Sequence, residues 1–281
     1  MTSQLEKAEI FKRLHTEDGC FIMPNPWDAG SARLLQYLGF TALASTSAGF
    51  AFTRGRPDQS MQRDEVIAHL SELVAATDLP INADLENGFG DAPADVEKTI
   101  IAAAAIGVVG ASIEDATGRS EQPIYSFELA VERIQAAAAA AKSQAVPVLL
   151  TARAENYLYG RTDLNDTIKR LQAYQEAGAD VLYAPGIRTR EDIAAIISSV
   201  DRPLNVLMGL SGVTVTKQEL TELGVKRISV GGSLARAAIS ALLSAGKELR
   251  DEGTFNYAND AIGTADINGI FSVFVAAKKS E

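Results

Sequence analysis

Short apolar runs alternate with longer amphipathic stretches along nearly the whole chain. The amphipathic stretches repeat their apolar positions at helical spacing, and several of them end near glycine, as helices prefer. Such helices are predicted at residues 63–76, 94–106, 127–142, 166–177 and 190–199. Buried parallel strands read as continuous apolar runs because both of their faces are covered. Eight runs are predicted as strands: residues 21–24, 41–45, 80–84, 108–114, 146–153, 181–184, 203–207 and 227–230.

The alternation also predicts how the elements are arranged. Parallel strands joined by helices of this length imply right-handed crossovers, and eight such units indicate a closed α/β barrel of the TIM type, a (β/α)₈ fold. Because no linker or break in composition marks a boundary, residues 1–281 are predicted to form one domain with a helical extension from about residue 250. Additional helices are expected at residues 1–15 and 266–278. The last of them needs a partner surface, on this barrel or on a neighbouring subunit.

Composition narrows the choice of partners and location. The chain has 36 acidic against 26 basic residues, a net charge of −10 that argues against nucleic acid or an anionic membrane surface as a partner. The single cysteine, Cys20, rules out an intrachain disulfide and fits a reducing cytoplasm. Residues 1–15 lack the apolar segment of a signal peptide, and no apolar run reaches the roughly 20 residues of a membrane span. A cytoplasmic protein is therefore expected.

Acidic residues gather where predicted strands end. Active sites of (β/α)₈ barrels lie at the carboxyl ends of the strands. Strands three and four end in Asp84, Glu86 and Glu114. Each carboxylate alone could cap a helix or pair with a surface base, but three together are the oxygen donors that Mg²⁺ requires. We therefore predict Asp84, Glu86 and Glu114 as metal ligands.

A cation and several hydroxyl groups occur at other strand ends. Arg153 follows a buried apolar run, where a guanidinium would be costly without an anion beside it. The anion could be a substrate carboxylate, held by two parallel hydrogen bonds, or it could be Glu155 or Glu114. We favour the substrate. Further polar or aromatic side chains follow strands one and two: Trp27, Ser45, Thr46 and Ser47.

Two other features carry less information. The histidines, His15 and His69, fall in predicted helices away from the strand ends, so a histidine-based nucleophile is not expected. Residues 229–233, Ser-Val-Gly-Gly-Ser, follow strand eight, where barrels often bind phosphate at a helix N-terminus. Two glycines also serve a plain tight turn, so both interpretations stay open.

Taken together, the strand ends resemble the isocitrate lyase and phosphoenolpyruvate mutase superfamily, and the resemblance runs through nearly the whole chain. Jointly the matching segments are specific, although each alone would be weak. They are Asn25-Pro26-Trp27-Asp28-Ala29, Gly55-Arg56-Pro57-Asp58, Asn82-Ala83-Asp84-Leu85-Glu86-Asn87-Gly88-Phe89-Gly90, Ile113-Glu114-Asp115 and Thr151-Ala152-Arg153-Ala154-Glu155.

The resemblance implies a Mg²⁺-dependent lyase, with Mn²⁺ as a possible substitute, acting on a small 2-oxo or 2-hydroxy acid. It implies Asp84 on the metal side, Glu86 and Glu114 holding the cation largely through water, and Asp58 supporting the site. The metal and nearby donors would stabilise the negative charge on an enolate oxygen. The resemblance also implies a homo-oligomer, a tetramer or dimer, whose last helix swaps between subunits. The implied substrate contacts are Trp27, Ser45 with the neighbouring Thr46 and Ser47, and Arg153.

One segment departs from the best-known members. The lyases for isocitrate and methylisocitrate carry a Lys-Lys-Cys-Gly-His lid, whereas residues 116–125 here read Ala-Thr-Gly-Arg-Ser-Glu-Gln-Pro-Ile-Tyr and contain no cysteine. Tyr125 and Glu121 are the candidates for a lid acid. Phosphonopyruvate-handling members have lysine where this chain has Ala116. We therefore favour an oxaloacetate decarboxylase-like enzyme or a lyase for a substituted malate. The alternatives are a P–C bond mutase or hydrolase and a non-catalytic barrel that binds a small acid.

Overall fold

The computed structural model describes residues 2–277, and within them eight parallel strands form one sheet in the order β1-β8-β7-β6-β5-β4-β3-β2. The ring is completed where the Ala44 amide donates to the Pro24 carbonyl at 3.1 Å, linking β2 to β1. Every strand falls inside a predicted run, which confirms the TIM-type barrel. The strands are β1 (Phe21–Met23), β2 (Leu43–Ala44), β3 (Ile81–Asp84), β4 (Gly110–Glu114), β5 (Leu149–Arg153), β6 (Val181–Tyr183), β7 (Leu204–Leu207) and β8 (Arg227–Ser229).

Helices surround the sheet, and several begin at a side chain that accepts a hydrogen bond from the first turn, as helix N-caps do. Thr46, Ser126 and Thr189 cap three of them in this way. The helices are α1 (Gln4–Thr16), α2 (Ala29–Tyr37), α3 (Ser47–Thr53), α4 (Arg63–Ala76), α5 (Pro93–Ala105), α6 (Phe127–Lys142), α7 (Leu164–Glu176), α8 (Arg190–Ser199), α9 (Lys217–Glu222), α10 (Ser233–Asp251) and α11 (Thr264–Ala277).

Helix α1 closes the amino-terminal end of the barrel. Its Phe11 is fully buried, and the His15 ring packs edge-on against Phe11 and Phe21 at centroid distances of 4.6 and 5.1 Å. Burial, together with the nearby Arg227 guanidinium, lowers the pKa of His15 to about 3, so this ring is neutral at physiological pH. With the bottom sealed, a ligand would enter at the carboxyl ends of the strands.

The C-terminal extension packs partly on its own barrel and leaves apolar residues uncovered. Helix α11 lies against α2, where the Arg33 guanidinium carbon is 5.7 Å from the centroid of the Phe274 ring. On α10, Leu242 and Leu243 are 71% and 58% exposed. The predicted helix at residues 266–278 is present, except that Lys278 lies outside the described residues. Across residues 2–277 no helix is both long and apolar enough to cross a lipid bilayer.

Candidate active site

A cavity of about 260 Å³ opens at the carboxyl ends of the strands. Its wall takes residues from the strands, from the loops that follow them and from the first turn of α10. Six side chains proposed from the sequence line this one cavity: Ser45, Thr46, Ser47, Asp58, Asp84 and Arg153.

The segment from β2 into α3 is held tightly at the cavity mouth. The Thr46 hydroxyl accepts a hydrogen bond from the Gly49 amide at 3.2 Å and starts the helix. A Cβ on Gly49 would lie 2.6 Å from Thr46 Cγ2 and 2.9 Å from Trp27 Cβ, so only glycine fits there. This packing fixes Ser45 and Ser47 at the cavity. The half-buried Trp27 supports the segment from behind and is not part of the cavity wall, so the structure does not bring it to the predicted substrate position.

Asp84 connects two sides of the mouth. Its Oδ2 accepts a hydrogen bond from the Ser47 amide at 3.0 Å, and its Oδ1 accepts one from Arg153 Nη1 at 2.9 Å. Its own amide donates to the Ser45 hydroxyl at 2.8 Å. Two neighbouring groups therefore fix the carboxylate at the cavity, and the Ser45 hydroxyl holds the backbone that carries it, as a metal ligand or an acid requires.

Arg153 is buried among three carboxylates. Its Nη2 lies 3.0 Å from Glu114 Oε2 and 2.9 Å from Glu155 Oε1, in addition to the bond to Asp84. Although burial alone would lower it, these carboxylates hold the pKa of Arg153 well above its usual range. Glu114 and Glu155, the two anions of the chain that the sequence offered as partners of Arg153, thus both contact it. A substrate carboxylate would have to share or displace them.

The carboxyl groups around Arg153 hold protons unusually strongly. Burial, against the opposing effect of Arg153, raises the pKa of Glu114 well above its usual range and that of Glu155 to about 7. Burial, with repulsion from Asp84 and Asp58, raises the pKa of Glu86 to about 8. Acidic groups outnumber bases here, so an added cation would relieve their repulsion.

The donors of this site fit a divalent cation that keeps most of its water. Glu86 Oε1 is buried without a hydrogen-bond partner. The backbone of Glu86 has a φ of 49°, which is uncommon for a residue other than glycine. Within residues 2–277 no three side chains form a ready-made ligand cluster, and Glu86 and Glu114 do not border the cavity. Mg²⁺ commonly takes one or two carboxylates and retains several waters. Asp84 is the carboxylate best placed to bind it directly.

Tyr125 does not reach this cavity. Residues 116–125 form a short hairpin with a bridge between Ala116 and Ile124. Tyr125 is buried at its end, with its hydroxyl donating to Asp91 at 2.6 Å and its ring centroid 4.1 Å from the Arg133 guanidinium carbon. The hairpin therefore turns Tyr125 towards the loop after β3, away from the position expected of a catalytic acid.

Asn25, for which the sequence predicted no role, connects the ends of β1, β8 and β2 at the cavity mouth. Its Oδ1 accepts hydrogen bonds from the Val230 and Gly231 amides, both at 2.9 Å, and its Nδ2 donates to the Ser45 carbonyl at 2.9 Å. Two amides of the 229–233 segment are thus already bonded within the protein. The plain-turn interpretation of this segment is favoured over a phosphate site.

Arg227 was not predicted as a site residue, because it stands at the start of a predicted strand and not at its carboxyl end. It is 2% exposed inside the barrel, where it donates to Asn205 Oδ1 at 2.8 Å and to Thr151 Oγ1 at 2.9 Å, and Nη1 lies 3.2 Å from His15 Nε2. Burial lowers its pKa to about 9, so it stays charged at neutral pH. It places a positive charge in the floor of the cavity.

The raised pKa of Glu86 predicts how the metal-free protein responds to pH. Its pKa is 4.5 ordinarily and about 8 when folded, so the folded state favours the protonated form. The stabilisation is complete below about 4.5 and is lost as the pH rises through about 8. Between pH 5 and 8.5, metal-free protein should lose on the order of 2 kcal/mol more unfolding free energy than the Glu86→Gln variant. Urea titrations at several pH values measure this, and parallel curves would contradict it.

Comparison with known proteins gives a consistent result. The sequence profile of the phosphoenolpyruvate phosphomutase family matches residues 11–250. A crystal structure from Burkholderia cenocepacia J2315, described only as a lyase/mutase, is similar with a TM-score of 0.93 and 57% identity, covering 95% of this chain and 96% of that one.

Two relatives with named activities are more distant. A 2-methylisocitrate lyase of Halalkalibacterium halodurans is 28% identical, over an alignment that covers 90% of this chain and 85% of the lyase. An oxaloacetate decarboxylase of Bradyrhizobium sp. (strain ORS 278) is 28% identical, over an alignment that covers 89% of this chain and 87% of the decarboxylase. Because the family profile spans all eight strands and every strand-end residue discussed above, the chain belongs to the phosphoenolpyruvate phosphomutase family and is an enzyme of the isocitrate lyase and phosphoenolpyruvate mutase superfamily.

Proposed function

We propose that this enzyme is a Mg²⁺-dependent carbon–carbon lyase that cleaves a small 2-oxo or 2-hydroxy dicarboxylic acid through an enolate. The observation that carries the proposal is the hydrogen-bonded set of Asp84, Ser45, Ser47 and Arg153 in one cavity. The named activities of the two relatives, both on small carboxylic acids, support the same reaction class.

The side chains have separable roles in this proposal. A bound Mg²⁺, or Mn²⁺ in its place, would supply a Lewis acid that stabilises negative charge on the substrate oxygen. Asp84 would hold the cation, with Asp58 at the exposed rim and Glu86 and Glu114 farther from the substrate. Ser45 and the backbone near Ser47 would hold substrate oxygens, because they already form the polar mouth of the cavity. Arg153 would face a substrate carboxylate and balance the charge that develops during cleavage.

The absence of a positioned acid in the lid favours decarboxylation over isocitrate cleavage. Cys20, the single cysteine, precedes β1 at the opposite end of the barrel, and Tyr125 is turned away from the cavity. A positioned proton donor contributes about 10² to 10⁴ in rate. Decarboxylation can proceed without one, because water can protonate the released enolate.

A substrate panel tests the proposal. Oxaloacetate, substituted malates, isocitrate, 2-methylisocitrate and phosphonopyruvate are assayed with Mg²⁺, following 2-oxo acid and phosphate release. We expect oxaloacetate or a substituted malate to be turned over at least about 10² times faster than the two isocitrates. EDTA should abolish turnover, and Mg²⁺ or Mn²⁺ should restore it. Full turnover in EDTA would contradict the metal requirement, and efficient glyoxylate release from isocitrate would contradict the substrate class.

We also propose that the enzyme is a homo-oligomer, a tetramer or dimer. Apolar side chains on the last two helices remain exposed in the single chain, and such patches mark interaction surfaces. They include Leu242, Leu243, Val273 and Val275. Light scattering should give a multiple of the chain mass, and Leu242→Glu should reduce it. A monomer mass for the wild-type protein would contradict the proposal.

A further inference from the structure

We infer that the floor of the cavity is an anion site, in which Arg227 binds a small monovalent anion such as chloride or formate. Arg227 is the first residue of β8, is 2% exposed inside the barrel and borders the cavity. The inference goes beyond the proposed function, because it concerns the interior of the barrel and does not depend on which acid the enzyme cleaves.

The hydrogen-bond partners of Arg227 within residues 2–277 are all neutral. Its guanidinium donates to the side-chain oxygens of Asn205 and Thr151, and Nη1 lies 3.2 Å from His15 Nε2. His15 Nδ1 lies 2.7 Å from the Phe11 carbonyl oxygen. Because a carbonyl can only accept, Nδ1 carries the proton and Nε2 accepts from Arg227. The pKa of His15, about 3, keeps this ring uncharged. Dipoles alone therefore surround the guanidinium.

The other arginines of the interior have acidic groups nearby. Arg153 and Arg170 form ion pairs with carboxylates. Three aspartates raise the pKa of Arg133 against the larger effect of burial. In the part of the chain that the structure describes, no carboxylate lies within 4.0 Å of Arg227, and burial lowers its pKa to about 9. A buried charge without an opposite charge beside it is costly, so Arg227 favours an anion at this position.

The groups around Arg227 offer more donors than acceptors. A guanidinium has five N–H groups, and three bonds within the described chain leave two. Ser229 Oγ already accepts from Asn205 Nδ2 at 2.9 Å. Tyr183, beside Ser229, has its pKa raised to about 12 by burial, so it keeps its O–H at neutral pH. Even where one of these two hydroxyl groups donates to the other, one O–H remains for a ligand.

The guanidinium lies deeper in the barrel than the metal side. Asp84 is the last residue of β3, at the mouth. Arg227 Nη1 lies beside His15 on α1, the helix that closes the amino-terminal end. Arg227 Nη2 bonds to Thr151, which is two residues, or about 6–7 Å, before the strand end at Arg153. Because one cavity borders both Asp84 and Arg227, an anion can pass from the mouth to the floor.

The charges of the cavity favour a small ion with a single charge. Asp58 and Asp84 border the mouth and repel anions, and this repulsion grows with the charge of the ion. Arg153 is already surrounded by carboxylates. The one positive charge of Arg227 balances one negative charge at the floor.

Thermal unfolding at constant ionic strength tests the inference. Sodium gluconate, whose anion is large, is exchanged stepwise for sodium bromide or formate, with EDTA present so that no divalent cation contributes. An ion at ten times its Kd should raise the Tm of the wild-type protein by about 3–6 °C, and the rise should saturate. A rise that is absent, or that occurs only with Mg²⁺, would overturn the inference.

The variant Arg227→Gln keeps a polar side chain and removes the charge, so its Tm should no longer respond to bromide or formate. Arg133→Gln is the matched control. Arg133 is 1% exposed and donates to the Gly90 carbonyl, but it lies outside the cavity wall, so this variant should keep the wild-type rise. An equal rise in Arg227→Gln and in the wild-type protein would show a general effect of the salt and would contradict the site.

Anomalous diffraction from wild-type crystals soaked in bromide locates the ion without any variant. We expect a bromide peak in contact with the Arg227 guanidinium. A peak only at the mouth, or no peak in the cavity, would place the anion elsewhere and overturn the inference. A peak at Arg227 without a rise in Tm would show an adventitious ion only, and the inference would fail in that case as well.

Discussion

Replacing Arg153 with lysine should lower kcat/KM by on the order of 10², although the charge is retained. Lysine offers one point charge where the guanidinium contacts Glu114, Glu155 and Asp84 through separate N–H groups. If Arg153 also faces a substrate carboxylate, the planar geometry is needed a second time. Steady-state kinetics on the preferred diacid measure the effect, and wild-type efficiency in Arg153→Lys would exclude the proposed role.

Arg153→Met should also cost about 3–5 kcal/mol of stability, since it leaves buried carboxylates unpaired. The loss should shrink at low pH. Glu155, whose folded pKa is about 7, is protonated there and no longer needs a cation. Urea titrations at pH 5 and 8 provide the comparison.

Arg170→Met is the matched control. Arg170 is more deeply buried than Arg153 and is bonded to Asp115 at 2.9 Å, but it does not line the cavity. The Arg170→Met variant should also lose unfolding free energy, but its kcat/KM should change much less than that of Arg153→Met. Equal kinetic losses in both variants would show that Arg153 acts only by supporting the fold.

The sequence was sufficient to predict the barrel because buried parallel strands appear in it as continuous apolar runs. Each apolar run contained the strand, and the errors lie at the boundaries. Residues 146–153 were predicted as one strand, whereas β5 begins at Leu149. Pro147 has no N–H to donate to the neighbouring strand, so pairing starts after it.

The site was predictable where its residues sit at strand ends and was missed elsewhere. Asp84 and Arg153 stand out because polar residues follow apolar runs at a known edge of the fold. Tyr183 and Arg227 both line the cavity from within short strands. The sequence alone does not say which side chains of such strands point into the barrel. Tyr125 was misplaced because the direction of a hairpin depends on its contacts, here with Asp91 and Arg133.

The acidic cluster gives the other large expected effect. Asp84→Asn should lower kcat/KM by about 10³ and weaken Mg²⁺ binding at least about tenfold, because the Lewis acid supplies several kcal/mol of transition-state stabilisation. The fold should survive. Asparagine has the same shape, and its side-chain oxygen can still accept the hydrogen bond from the Ser47 amide. Kinetics and calorimetry with Mg²⁺ measure the two losses.

Asp91→Asn is the control for Asp84→Asn, because Asp91 is also hydrogen-bonded but lies outside the cavity wall. It should bind Mg²⁺ as tightly as the wild-type protein does. A second readout distinguishes charge from structure: Asp84 is one of the groups that raise the pKa of Glu86, so Asp84→Asn should move that pKa from about 8 towards its ordinary value. If Asp84→Asn kept its metal affinity while the pKa of Glu86 fell, Asp84 would serve only to connect Ser47 to Arg153, and the cation would have to be bound by other carboxylates.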